Sequence, residues 1–305
     1  MERGGRGRAL PLPRISIVVP NYNGGATLER TVRSLLAQEY PDLQIILMDS
    51  ASKDNSIEII ERYRHNFDPC IVEKDKGQAD GLNRGFRQAR GEIRAWLCSD
   101  DELTPGTLHH VAEVFENNPQ ANLLIGHCER VFSDGKSYVV TPNEKSWENI
   151  NVQNGLDQPS LFWRAELQQK AGELDPTYNL AFDWDLWNRF KKSGARPVFT
   201  DRVLSRYYFS ETNKSGNSGS QHAREAFRIL RKYGPIGGML GYIFRFLYRH
   251  FDLKGCYDKP PTCTLWRSHV FMWVLAALMP LIGRRRLYQY NWHFASCQER
   301  GLKWW

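Results

Sequence analysis

Cysteine is scarce in this chain of 305 residues. The six present (Cys70, Cys98, Cys128, Cys256, Cys263 and Cys297) include no CxxC pair. Their spacing supports neither a zinc site nor a disulfide framework, so reduced thiols and a cytoplasmic location are the expectation. An apolar leader is missing as well: Met1 to Arg14 is rich in Gly, Arg and Pro, has no h-region, and reads as a disordered basic tail. The fourteen-residue apolar run from Val270 to Gly283 contains Pro280. It falls short of the roughly 20 residues that a straight helix needs to cross a bilayer. No GxGxxG follows the first predicted strand and no GxxxxGK[ST] occurs, which excludes a dinucleotide fingerprint and a P-loop.

What the chain does have is unevenly distributed. Of its net charge of +7, residues 221–305 contribute +10, leaving −3 for the first 220, and half of the ten Trp also lie in that last section. Arg284-Arg285-Arg286 follows the apolar run. A basic, aromatic-rich end of this kind suits an anionic membrane surface, with the chain peripheral on the cytoplasmic face. A helical subdomain packed on the core is the alternative. Nucleic acid is not expected, because the aromatics sit in apolar runs rather than alternating with Lys and Arg along a groove.

The first 100 residues alternate strands with helices. Ile15 to Pro20 is a β-branched run, Thr27 opens a helix carrying Leu28, Val32, Leu35 and Leu36 on one face, and Leu43 to Met48 is a second strand. A helix over Ser56 to Tyr63 and a strand at Cys70-Ile71-Val72 follow, and Ile93 to Leu97 is a fourth strand. Such alternation predicts βαβ units and a largely parallel sheet. Polar or acidic residues follow each strand: Asn21/Asn23, Asp49, Asp75 and Asp100/Asp101. In a parallel sheet those turns converge on one edge, where ligands bind. Asp49 can accept a hydrogen bond from a base or ribose, or it can close an Asx-turn. Asp100 and Asp101 suit a hard divalent cation, while Asp101 or Thr104 could instead cap a helix starting near Pro105. Further on, a helix is predicted over Leu108 to Asn117, separate strands over Asn122 to Ile125 and Arg130 to Phe132, and a hairpin turn at Ser133 to Lys136.

Four motifs stand in order: Val-Val-Pro-Asn-Tyr-Asn (18–23), Asp-Ser-Ala-Ser-Lys-Asp (49–54), Lys-Asp-Lys-Gly-Gln-Ala-Asp-Gly-Leu-Asn (74–83) and Trp-Leu-Cys-Ser-Asp-Asp (96–101). The series resembles the inverting family 2 glycosyltransferases of bacterial polysaccharide type, over about residues 14–215. The resemblance implies the α/β GT-A fold, a Rossmann-like doubly wound mixed sheet, over 15–215; beyond it, 216–305 is expected to be a basic, aromatic-rich helical extension. It implies Pro20, Tyr22 and Asp49 at the nucleobase pocket, Lys76, Asp80 and Asn83 near the ribose, diphosphate or sugar, and Asn23, Ser99 and Asp100 as further contacts to a nucleotide-sugar donor. Asp100 and Asp101 would hold Mn²⁺ or Mg²⁺. Cys98 departs from the family pattern, which usually has Asp or Asn there.

A second acidic centre lies in Ala-Phe-Asp-Trp-Asp-Leu-Trp-Asn-Arg-Phe (181–190). Acids at the amino end of a helix complement its dipole whatever else they do. By the resemblance, Asp183 is the base that deprotonates the acceptor hydroxyl, with Asp185 the alternative. The expected function is metal-assisted transfer of a sugar, with inversion, to a glycan or lipid-linked acceptor. A protein that keeps the fold but only binds a sugar nucleotide or a lipid is the alternative.

Overall fold

The computed structural model describes residues 12–209 and 219–234, together with the single positions 242, 273, 277 and 280. The chain runs β1 (Ile15–Asn21), α1 (Leu28–Leu36), β2 (Leu43–Asp49), α2 (Ser56–Tyr63), β3 (Phe67–Val72), α3 (Gln78–Gln88), β4 (Ile93–Trp96), β5 (Glu102–Leu103) and α4 (Thr107–Asn117). It continues through β6 (Leu123–Phe132), β7 (Ser137–Val140), α5 (Glu144–Glu148), β8 (Leu161–Arg164), α6 (Ala165–Ala171), α7 (Phe182–Lys192), β9 (Pro197–Phe209) and α8 (Gly219–Tyr233).

The described strands form one sheet in the order β3-β2-β1-β4-β8-β6-β9-β5, with β7 added to β6. The pairs among β3, β2, β1 and β4 are parallel. All seven residues of β1 are buried, as are six of seven in β2. Continuous burial of this kind marks parallel strands covered on both faces. Beyond β4 the sheet becomes mixed: β8 runs antiparallel to β4 and β6, while β6 and β9 pair in parallel. The expected doubly wound mixed sheet is therefore present.

Two details differ from expectation. The strands predicted at Asn122–Ile125 and Arg130–Phe132 are a single strand, β6, whose pairing with β9 shifts register around His127 instead of breaking. The helix expected near Pro105 starts at Thr107 with Gly106 at its N-cap, so neither Asp101 nor Thr104 caps it. The start of the expected C-terminal helical extension is seen as the basic helix α8 (Gly219–Tyr233). Most of the predicted basic tail and most of the extension beyond Gly234 lie outside the described residues. Among the described residues no helix is long and apolar enough to cross a membrane.

Chain order 3-2-1-4 means that β1 connects to β2 on one side and lies beside β4 on the other. The crossover direction reverses there, leaving a crevice at the strand carboxyl ends. Helix α3 closes against the floor: a Cβ on Gly85 would stand 2.5 Å from a Val18 methyl and 3.0 Å from Met48 Cγ. Across the sheet, an aromatic cluster links β4 to α7. Trp96 stacks on Trp187 with centroids 5.5 Å apart and planes 11° apart, and Trp163 and Phe190 pack edge-on or tilted around them. Helix α7 is buried on nearly all sides, its Leu186, Trp187 and Phe190 fully so.

Candidate active site

The first wall of the crevice is a hydrogen-bonded knot between the ends of β1 and β2. Asn21 is buried and donates to Asp49 Oδ2 at 2.7 Å. Asp49 also accepts from the Ser52 backbone N–H at 2.9 Å and its hydroxyl at 2.5 Å. Asp49, 2% exposed, is thus held in place by Asn21 and Ser52 and closes the turn after β2. Asn23 adopts φ 50°, its backbone N–H reaching Ser52 Oγ and its side-chain oxygen accepting from Lys53 N. Pro20 is buried, whereas Tyr22 is 67% exposed. A Cβ on Gly24 would lie 2.8 Å from Ser99 Oγ, so this loop packs directly against the turn after β4.

The turn before α3 is closed by its own acids. Gly77, at φ 119°, gives its N–H to Asp75 Oδ1 at 2.8 Å, and the Lys76 N–H reaches Asp80 Oδ2 at 3.1 Å. The Lys76 side chain is exposed. Arg84 pairs with Glu73. Asn83 is tied to the backbone of a distant loop. It is 4% exposed, and both ends of its amide are bonded to the Leu174 backbone at 2.8 Å, which pins the loop before α7 to α3.

After β4, Asp101 N–H bonds to Cys98 O at 3.0 Å and turns the chain back. The Cys98 Sγ and a carboxylate oxygen of each of Asp100 and Asp101 lie within 4.8 Å of one another. Burial pushes the Asp100 carboxyl upward. Burial and then the neighbouring charge of Asp100 push Asp101 well above the usual carboxylate range. Two desolvated like charges are a site that a cation would relieve, and oxygen ligands with one thiol are chemically competent to hold it. These residues fit a divalent ion. Cys98 is itself engaged, by Gln78 Nε2 at 3.3 Å and Gln158 at 3.9 Å, and Gln158 also donates to Trp96 O at 2.7 Å.

The two acids of α7 have opposite environments. Asp183 is partly buried, accepting from the Trp184 N–H at 2.6 Å and from Asn154 Nδ2 at 3.2 Å. Burial outweighs these bonds and pushes its carboxyl up to about 6. Asp185 is fully buried, bonded by Arg189 Nε, Lys232 Nζ and Tyr233 Oη, each at 2.8 Å. Burial opposes its ionisation, but those donors outweigh it and hold the carboxyl below the usual range. Asp185 is thus held ionised by its partners, whereas burial makes Asp183 the more readily protonated of the two.

Sequence reasoning missed three residues that matter here. Asp157, with its side chain 9% exposed, grips Arg130 through Nε and Nη2, the shortest contact 2.6 Å. Burial opposes the Arg130 charge, yet Asp157 holds the guanidinium above its ordinary value. The Asp157 charge pushes both Asp101 and Asp183 upward, so its field reaches both acidic centres. Asn154 and Glu225 are the others. All three lie outside the four motifs and the 181–190 segment, and none carries a local signal in the sequence.

With this geometry in view, comparison with known proteins gives the class. Residues 16–185 match the sequence model of Glycosyl transferase family 2. The chain belongs to that family. It is 28% identical over 236 residues to an uncharacterized glycosyltransferase of Rickettsia prowazekii, covering 73% of this chain and 70% of the relative. It is 33% identical over 115 residues to poly-beta-1,6-N-acetyl-D-glucosamine synthase of Staphylococcus epidermidis, covering 37% of this chain and 28% of that enzyme. Among solved structures, the mannosyltransferase PcManGT of Pyrobaculum calidifontis, in complex with GDP-Man and Mn²⁺, superposes with a TM-score of 0.60 at 16% identity, covering 95% of this chain and 87% of that one. S. aureus TarS 1-349 in complex with UDP-GlcNAc gives a TM-score of 0.57 at 17% identity, covering 78% and 73%. The fold is GT-A, and the chain is a glycosyltransferase.

Proposed function

We propose that this glycosyltransferase is an inverting enzyme that moves a sugar from a nucleotide-sugar donor to a hydroxyl of a glycan or lipid-linked acceptor, with Asp183 as general base. The observation that carries the reading is the contrast on α7: Asp183 is raised to about 6 while Asp185, two residues on, is locked in a buried ion cluster. A base near its operating pH is both present in the ionised form and able to take a proton.

Asp183 would accept the acceptor's proton as its oxygen attacks the anomeric carbon from the face opposite the departing nucleotide. No covalent enzyme intermediate is required. Pro20, Tyr22, Asn23 and Asp49 would shape the nucleobase end of the crevice, with the exposed Tyr22 ring free to stack. Lys76 and Asp80, at the start of α3, and Ser99 would face the ribose and diphosphate. Asp100 and Asp101 would hold Mn²⁺ or Mg²⁺, which when bound supplies Lewis-acid stabilisation of the leaving diphosphate. That PcManGT was solved with GDP-Man and Mn²⁺ and TarS with UDP-GlcNAc supports a guanine or uracil nucleotide as donor. A lipid-linked acceptor suits the +10 charge of residues 221–305, which would draw that end to anionic headgroups at the cytoplasmic membrane face.

The test is a donor screen: UDP- and GDP-sugars with Mn²⁺ or Mg²⁺, scored by thermal stabilisation and then by transfer. Stabilisation that requires both nucleotide and metal and disappears in Asp100→Ala supports the reading. Transfer that survives Asp183→Asn at the wild-type rate overturns the base assignment.

A further inference from the structure

Helix α8 lies beyond the family match at 16–185, yet it is bonded along the segment that carries Asp183. Glu225, 5% exposed, accepts from the backbone N–H groups of Asn179 at 3.0 Å, Leu180 at 2.8 Å and Ala181 at 2.9 Å. Gln221 Nε2 steadies the carboxylate from the same helix at 3.0 Å. Ala181 is the N-cap position of α7. Three consecutive N–H groups at the entry to a helix form an anion-binding concavity, and here a carboxylate from another helix fills it. Upstream, Arg228 bonds Thr177 O at 2.8 Å and Thr177 Oγ1 at 2.6 Å, with its guanidinium 4.0 Å from the Tyr178 ring centroid. Downstream, Lys232 and Tyr233 bond Asp185. Both flanks of Asp183 are therefore fixed to α8, while its own carboxylate is bonded to Trp184 N and Asn154.

We propose that α8 belongs to the catalytic apparatus, with Glu225 as a positioning residue that fixes the backbone of residues 179–181 and so aims the Asp183 carboxylate at the acceptor hydroxyl. This rests on Asp183 being the base. A buried carboxylate is costly to desolvate, and three charge-assisted bonds to one short backbone run repay that while fixing its geometry. Burial opposes the Glu225 charge, but the N–H bonds prevail and keep it ionised. Misplacing a reacting group by about 1 Å can lower turnover about 100-fold. The groups facing Asp183 are Asp157, held by Arg130, together with Asn154 and the Trp184 N–H, so its titration reports on how that surround is held.

The experiment uses the full-length chain with Glu225→Gln, which keeps shape but removes the charge. Nucleoside-diphosphate release from UDP-GlcNAc and from GDP-mannose, with water as acceptor and Mn²⁺ present, is followed across the ordinary aspartate range and above it. The expected result is a kcat lower by about 10- to 100-fold with the donor KM unchanged. The acid limb should move from about 6 toward the ordinary aspartate value as water reaches Asp183. Amide exchange at residues 179–182 should rise at least about tenfold in the folded variant. Tyr233→Phe, which deletes one hydroxyl, should shift kcat and the limb in the same direction, and it decides the matter if Glu225→Gln does not fold. Unmoved kcat, limb and amide protection in a folded variant overturn the inference. Asp183→Asn measured in parallel separates the two ideas: wild-type turnover there defeats the base assignment, whereas an inactive Asp183→Asn beside a normal Glu225→Gln defeats only the role of α8.

Discussion

Trp96 and Trp187 stack face to face at 5.5 Å, and this contact joins the strand that precedes Asp100 and Asp101 to the helix that carries Asp183 in its first turn. Both rings are fully buried among Trp163, Phe190 and Phe86. The two acidic centres therefore share one rigid aromatic core, and a change in that core is felt at both. Trp187→Ala should destabilise the chain by roughly 3–5 kcal/mol, the usual loss for a large buried aromatic. Urea unfolding measures this. Its loss of turnover should exceed the loss of folded protein, because the cavity opens directly beneath the helix carrying Asp183.

Asp183 gives a prediction with two signs. Its ionised fraction falls below about pH 6, so the acid limb of transfer should lie there. Asp183→Asn should lower turnover by about 10²- to 10⁴-fold. Stability moves the other way. A carboxyl whose folded value is raised favours folding fully below its unfolded value near 4, and that contribution is lost as pH rises through about 6. Ionising this group in the folded chain therefore costs on the order of 3 kcal/mol at neutral pH, from roughly 1.4 kcal/mol per pH unit. Asp183→Asn removes the penalty, so the variant should melt several degrees above wild type at pH 7.5 and show no such gain at pH 4 (about the ordinary aspartate value).

The Asp100–Asp101 pair predicts a metal-linked change. Both carboxyls are raised by burial, and Asp101 further by Asp100, so a cation should stabilise the fold by removing that repulsion. With Mn²⁺ at about 100 times its dissociation constant the gain should be about 2.7 kcal/mol. Asp101→Asn should raise the melting temperature of the metal-free chain yet abolish the Mn²⁺-dependent increase. An increase of wild-type size in that variant would place the ion elsewhere.

The parallel half of the fold was legible because its signals are local. β1, with seven buried residues, and α1, whose Leu28, Val32 and Leu35 recur on one face, declare themselves by periodicity, and the acids follow each strand. The second half was less so. β6 is one strand because β9 pairs with it on both sides of the register shift at His127, and nothing in residues 126–129 shows that partner. Asn83 sits within a motif of functional residues, but its amide meets Leu174, 91 positions away. Asp157 and Glu225 are ordinary acids in sequence. Their roles depend on Arg130 and on three backbone N–H groups that only the folded chain brings to them.

Asp157 yields the last test, because it acts on Asp183 through charge alone. Its carboxylate pushes Asp183 upward, a smaller influence than burial. In Asp157→Asn the side chain can still accept a hydrogen bond from Arg130, so the loop should hold its shape while the negative charge disappears. Arg130, no longer neutralised, adds a positive field from the same direction. Both changes favour the ionised form of Asp183, so the acid limb of the pH–rate profile should move to lower pH. The same substitution removes a repulsion on Asp101, and Mn²⁺ binding should change far less than in Asp101→Asn. An acid limb that stays in place, or moves upward, would show that the Asp157 field does not reach Asp183 or that the limb belongs to another group.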